Sequence, residues 1–285
     1  MKLKKTNQGK YYYSEGKGEA IVFLHGFPDC PENYFNQINF FSANGYEVIC
    51  PYMPGYHEED KKLASYGADT IALEIIDFIK ELRGEPVNLV GHDWGASTAY
   101  IIAAIEPDMI KSLVTLSVPH GSGLINAILS DGDQQRKSWY MFFFQLEIAD
   151  ISVPLNNFEF IDRLWREWSP EWPAYKKYAQ NTIDVLAKGG VLNNALGYYR
   201  STFQNTLEGT KLNTEQLKKR DSKILCPALY LHGENDGCIG SNLTEGMEGN
   251  FKDLEIDILE NCGHFLHLEK TETVNKKILK FLSRG

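Results

Sequence analysis

NLVGHDWGAST, residues Asn88 to Thr98, joins a short apolar run to a helical pattern through Gly91, Asp93 and Gly95. VNLVGHD (Val87–Asp93) has the length and apolar density of a buried strand, and GASTAYIIAAIEP reads as a helix stopped by Pro107. A Gly-x-Asp-x-Gly turn in that setting predicts a nucleophile elbow, which lifts one side chain above the edge of a sheet. Small residues flank the lifted one because the turn is tight and the helix packs closely on the strand. The lifted group here is a carboxylate. With an ordinary pKa of about 3.9 it is already ionised at neutral pH and needs no base to activate it. A serine at this place points to acyl transfer at a carbonyl; an aspartate points to displacement at a saturated carbon.

Working outward, AIVFLHG (Ala20–Gly26), YEVICP (Tyr46–Pro51), IKSLVTLSVP (Ile110–Pro119), ILCPALYLHG (Ile224–Gly233) and LEIDILEN (Leu254–Asn261) also read as strands. Helical spacing runs through PENYFNQINFFSANG, which Gly45 ends, and through the final segment from Lys270 to Leu282. It also runs from Asp69 to Gly84, with Asp69 as the cap and Ile71, Ile75, Ile76 and Ile79 as one stripe. This alternation predicts an α/β protein with a mostly parallel central sheet flanked by helices. From Gly121 to Arg220 the alternation breaks. The text becomes helical and aromatic, with Trp139, Trp165, Trp168 and Trp172 beside Phe142 to Phe144. Plain helix packing accounts for most of these rings. The expected organisation is a core domain of residues 1–120 and 221–285, interrupted by a helical lid of residues 121–220. Such an insert is well placed to roof an apolar pocket at the carboxyl edge of the sheet.

Composition narrows the function classes. The 285 residues are 43% hydrophobic and 24% charged, ordinary for a soluble globular protein, and the net charge of −9 disfavours nucleic-acid binding. The MKLKK start reads as a solvated terminus without the apolar run of a secretory segment. The apolar runs Ala99–Ile105 and Trp139–Leu146 fall far short of the roughly 18 residues of a membrane span. Five scattered cysteines (Cys30, Cys50, Cys226, Cys238, Cys262) form no CxxC pair and read as free thiols of a cytoplasmic protein. No metal-ligand spacing, dinucleotide fingerprint or phosphate loop is present, so neither metal nor cofactor is expected.

Partners for Asp93 follow in the order nucleophile, acid, base. LYLHGENDGC sets Asp236 just past one strand, and ENCGHFLHLEK sets His264 just past the last. Loops at the carboxyl ends of parallel strands gather, so the three can converge. Glu234 competes for the acid and His267 for the base. His267 is expected on the following helix as a structural residue, and His25 and His92 as packing or hydrogen-bonding groups.

LHGFPD, GHDWGA, HGENDGCI and CGHFLHLEK together resemble the core motifs of the α/β-hydrolase fold, and within it those of the soluble and microbial epoxide hydrolases. The resemblance runs over nearly the whole chain and implies a lid inserted after the sixth strand. SWYMFFFQL (Ser138–Leu146) resembles the lid motif carrying one ring-opening tyrosine, here Tyr140. ALGYYRS (Ala195–Ser201) resembles the motif carrying the second, Tyr199, with Tyr198 as the alternative. The resemblance implies attack by Asp93 on a small apolar epoxide and protonation of the leaving alkoxide by Tyr140 and Tyr199. Hydrolysis of the ester by water follows, activated by His264 that Asp236 orients. The backbone N–H groups of Phe27 and Trp94 would form the oxyanion hole, and Phe27, Trp94, Trp139, Tyr140 and Tyr199 would line the substrate pocket. A homodimer is left open.

Two related readings remain. A haloalkane dehalogenase uses the same Asp, His and acid and also follows the nucleophile with Trp. Phe27 stands where that group commonly has asparagine, and paired lid tyrosines have no role there. A fluoroacetate dehalogenase would usually have arginine in place of Trp94. A non-catalytic hydrolase-fold binding protein is the third reading, against which the complete triad counts. PYMPGYHEED (Pro51–Asp60) departs from the superfamily, with Pro54-Gly55 where Arg-Gly is frequent and His57 where glycine is common.

Overall fold

The structure, a computed structural model, describes residues 1–203 and 212–284. Its strands are β1 (Leu3–Lys5), β2 (Tyr11–Gly16), β3 (Ala20–Leu24), β4 (Glu47–Pro51), β5 (Val87–His92), β6 (Ile110–Leu116), β7 (Ala228–Gly233) and β8 (Leu254–Leu259). They form one sheet in the order β1-β2-β4-β3-β5-β6-β7-β8. β1 and β2 pair antiparallel, β2 joins β4 antiparallel, and every pairing from β4 to β8 is parallel. Strand residues alternate between the two faces, so Ile21 and Phe23 enter one apolar core while Val22 and Leu24 enter the other.

Helix α1 (Phe35–Ala43) covers one face; α2 (Ala68–Leu82) and α3 (Trp94–Ile105) cover the other. Between β6 and β7 the chain runs through α4 (Gly123–Ser130), α5 (Gly132–Lys137), α6 (Trp139–Phe143), α7 (Ala149–Ser152), α8 (Leu155–Trp168), α9 (Lys176–Leu186), α10 (Val191–Phe203) and α11 (Thr214–Arg220). After β8, α12 (Leu266–Glu269) and α13 (Thr271–Leu282) close the chain. Most of the aromatic surplus of the insert is packing. Trp165 stacks on Phe265 at 3.6 Å, and Trp139 packs against Phe143 and Phe160 at 6.1 and 5.5 Å. Among the described residues no helix is long and apolar enough to cross a membrane.

The structure corrects the sequence reading at several points. Part of the MKLKK start is β1, an edge strand whose three residues leave too little pattern to detect. Its partner β2 packs its tyrosines only partly, so no apolar alternation marked it. Strand β7 begins at Ala228, with Ile224 in an isolated bridge to Phe251, because Pro227 offers no N–H to a ladder. The segment between β7 and β8, whose sequence is helix-prone, forms two 3₁₀ turns instead, Ser241–Thr244 and Met247–Asn250. Gly67, not Asp69, caps α2; Asp69 lies in the first turn and accepts a hydrogen bond from Arg220 at 3.2 Å.

Candidate active site

Asp93 follows the last residue of β5, the fully buried strand between β3 and β6. Its backbone is left-handed, φ 53° and ψ −119°, a conformation that non-glycine residues adopt only when their surroundings hold them. The Asp93 N–H donates to Leu116 O at 3.3 Å, and its carbonyl accepts from Ala96 and Ser97 to start α3. The flanking glycines make the turn sterically accessible. A Cβ on Gly91 would lie 2.3 Å from Gly95 O, and one on Gly95 would lie 2.1 Å from Leu24 O.

The loop after β3 reaches over this turn. The Phe27 N–H donates to Asp93 Oδ1 at 2.7 Å, so one of the two expected oxyanion donors already addresses the carboxylate. Gly26 lets it approach, since a Cβ there would sit 2.3 Å from Oδ1. His25 holds the loop from behind. Burial pushes its pKa down to about 4, and the neutral ring donates from Nδ1 to Gly26 O and accepts the Met53 N–H on Nε2, both at 3.0 Å.

Asp236 and His264 meet above the ends of β7 and β8. His264 Nδ1 lies 2.8 Å from Asp236 Oδ2, and the other carboxylate oxygen accepts the N–H groups of Cys238 and Ile239 at 2.7 and 2.9 Å. Burial alone would raise Asp236, but His264 and the buried His232 pull it well below the usual carboxylate range. Burial alone would lower His264, yet Asp236 and Asp93 outweigh it and push the imidazole up to about 10. At neutral pH His264 is therefore an imidazolium between two carboxylates. Its Nε2 stands 3.7 Å from Asp93 Oδ2, too far for a hydrogen bond and without any other partner among the described residues. The insert fixes both loops: Trp168 O accepts the N–H groups of His264 and Gly237 at 3.0 and 3.1 Å.

A pH-dependent stability follows from this pair. Because the folded His264 value lies above its ordinary value, its contribution is complete below about pH 6.5 and is lost as pH rises through about 10. Asp236→Asn is expected to destabilise the fold by about 3–5 kcal/mol near neutrality, the usual cost of breaking a buried ionic pair. That cost should shrink as pH climbs through about 10, as urea midpoints would record. A cost flat with pH contradicts the charged pair.

Tyr140 and Tyr199 come from the insert and pack edge to face, with ring centroids 5.6 Å apart. Burial pushes both phenols well above their ordinary pKa, which keeps them protonated and able to donate. The Tyr140 hydroxyl lies 3.3 Å from Cys238 Sγ, while the Tyr199 hydroxyl has no hydrogen-bond partner among the described residues. Tyr198 turns the other way and donates to Pro54 O at 2.7 Å, so it tethers the insert to the unusual Pro54–His57 loop. Trp94 and Tyr199, with Asp93, line a cavity of about 590 Å³. Phe27 and Tyr140, also expected on the pocket wall, are fully buried and are not part of this cavity's lining. Trp139 does not line the cavity: consecutive helical residues point about 100° apart, so directing Tyr140 inward turns Trp139 towards Phe143, Phe160 and Arg163.

Of the competing residues, Glu234 Oε2 takes the Asn261 N–H at 3.4 Å, apart from His264. His267 is buried on α12, stacked on Tyr34, with Nε2 3.4 Å from Asp29 Oδ2. Sequence reasoning passed over Asp29, although it closes the LHGFPD motif. It is fully buried behind the elbow, and burial raises it to about 6 while lowering His267 to about 3. His92 joins them and directs Nε2 to His264 O at 2.9 Å, where Ser117 Oγ also donates at 2.7 Å. Asp29, His92 and His267 are too distant in sequence for any spacing rule to unite them.

The strand–turn–helix at Asp93 and the sheet order point to one fold family. The alpha/beta hydrolase fold family matches residues 19–271, and the chain belongs to that family. It is 27% identical to epoxide hydrolase 3 of Xenopus tropicalis over 99% of this chain and 77% of that protein. It is 26% identical to human epoxide hydrolase 4 over 99% of this chain and 78% of the other. The crystal structure of a Bacillus megaterium epoxide hydrolase in complex with an inhibitor superposes with a TM-score of 0.83 at 26% identity, covering 99% of this chain and all of that one.

Proposed function

We propose that this protein is an epoxide hydrolase that adds water to a small apolar epoxide through a covalent ester on Asp93, beneath a lid formed by residues 121–220. The observation that carries the reading is two buried tyrosines packed edge to face, with Tyr199 against Phe27 and Trp94 beside a turn that presents a carboxylate. An alkoxide is a poor leaving group, and phenol hydroxyls are suited to protonate it as the ring opens.

In the first step an Asp93 oxygen bonds to an epoxide carbon as that carbon's ring C–O bond breaks. The alkoxide takes a proton from Tyr140 or Tyr199, and the His264 imidazolium supplies a replacement. Ester formation removes the Asp93 charge, one of the two anions that hold His264 protonated. Neutral His264 is then the base. It takes a proton from water, and the hydroxide adds to the Asp93 carbonyl carbon. The oxyanion falls to the N–H groups of Phe27 and Trp94, each such donor being worth about 3 kcal/mol. Collapse breaks the ester and the departing diol oxygen takes the proton from His264. The proton that the added hydroxide leaves on the Asp93 carboxyl then passes to His264, which restores both the Asp93 charge and the imidazolium.

Diol formation from styrene oxide, measured beside halide release from a bromoalkane, tests this reading. Halide release alone would overturn it in favour of a dehalogenase, and neither product would leave a binding protein. The double variant Tyr140→Phe/Tyr199→Phe is expected to lose at least about 10³-fold in epoxide opening, given that a single positioned proton donor is typically worth 10²–10⁴. Any dehalogenation would survive it.

A further inference from the structure

The cavity extends well beyond the reacting groups. At about 590 Å³ it is of the size that encloses an extended ligand rather than a minimal epoxide. Its wall follows α3 from Trp94 to Tyr100 and Ile101, a rise of about 9 Å along the helix axis. The same cavity is lined by Ile101, Leu124 and Ile128 and by the polar Thr70, His120, Arg220, Asp221 and Asn250. His120 packs on Tyr100, at the far end of that stretch of α3.

His120 is the fixed polar group of this far end. Its ring is held edge-on between Tyr100 and Phe251, with centroids 4.5 and 5.3 Å away. Nδ1 is buried without a hydrogen-bond partner, and no described residue bonds Nε2, the nitrogen left accessible. Burial pushes the pKa down to about 4, so the ring is neutral at physiological pH. A neutral imidazole has one N–H and one lone pair. An unpaired buried acceptor is tolerated better than an unpaired buried donor, which leaves the lone pair on Nδ1 and turns Nε2–H to the cavity. Charge at this end is unfavourable to an anion. Arg220 is already engaged by Asp69 at 3.2 Å, and Asp221 adds a second carboxylate.

We propose that the preferred substrate is an elongated epoxide whose end remote from the oxirane bears an uncharged hydrogen-bond acceptor, such as a carbonyl or ether oxygen, received by Nε2–H of His120. This rests on the epoxide hydrolase reading and names the substrate class for it.

The test is a matched set of terminal epoxides of about ten carbons, a reach set by the helix rise, ending in alkyl, dimethylamide or carboxylate groups. The readout is kcat/KM for diol formation. The wild type is expected to favour the amide over the carboxylate by about tenfold or more, the scale of an unscreened like-charge contact. His120→Leu should lower the amide-to-alkyl ratio by about threefold to tenfold, the scale of one neutral hydrogen bond. His120→Gln, which keeps an N–H donor, should retain most of that ratio. A carboxylate preference, or a ratio unmoved by His120→Leu, overturns the inference while leaving the epoxide reading intact. Diol from none of the three epoxides sinks both.

Discussion

His264→Gln is expected to arrest the reaction halfway, with one equivalent of alkyl ester held on Asp93. The argument is electrostatic. Asp93 is a nucleophile by its own charge, so removing the base leaves its attack in place. The second step has no such independence, because water adds to an ester only when a base takes its proton. Glutamine fills the space of the ring between Asp236 and Asp93 but accepts no proton at neutral pH. Turnover should fall by about 10⁴-fold or more, as with other members of a catalytic unit. Intact mass after incubation should show the protein plus one epoxide, which peptide mapping locates at Asp93. If no adduct appears with any epoxide or haloalkane, the two-step chemistry is wrong.

The second large effect is expected from Asp93→Ala. Without the carboxylate there is nothing to open the ring, and turnover should drop by about 10⁵-fold or more. Fold and cavity should persist, because the elbow is held by backbone bonds to Leu116, Ala96 and Ser97 rather than by the side chain. His264 should also titrate lower, having lost one of its two anionic neighbours. Imidazole proton resonances followed by NMR against pH would record that. Residual turnover near the wild-type rate would mean that Asp93 is not the nucleophile.

Much of this was legible because the chemistry and the fold share one signal. Gly91, Asp93 and Gly95 reveal a strand, a sharp turn and a closely packed helix at once, since the steric need for glycine is local. Asp236 and His264 were readable because each follows a short apolar strand, where chain order tells the side of the sheet. The lid tyrosines came from motif resemblance alone; no periodicity separates Tyr199 from Tyr198. Their different fates depend on a tertiary contact, Tyr198 to Pro54 O, between segments far apart in the chain. Where Trp139 packs was hidden for a related reason, since helix phase against the core decides which way each of two adjacent rings turns. The edge strand β1 was missed because it is only three residues long, and β2 beside it because its partly buried tyrosines carry no apolar alternation. The surroundings of Asp29 and His120 are set by tertiary packing, and nothing in a local run of residues announces that.

The central claim is that the oxygen delivered to the product comes first from Asp93 and only afterwards from water. A single turnover with enzyme in excess over epoxide, run in heavy-oxygen water, tests it most directly. The expected result is a diol without label and one heavy oxygen in the peptide carrying Asp93. Label in the diol and none in that peptide would mean that water attacks the epoxide directly, and would contradict the covalent ester.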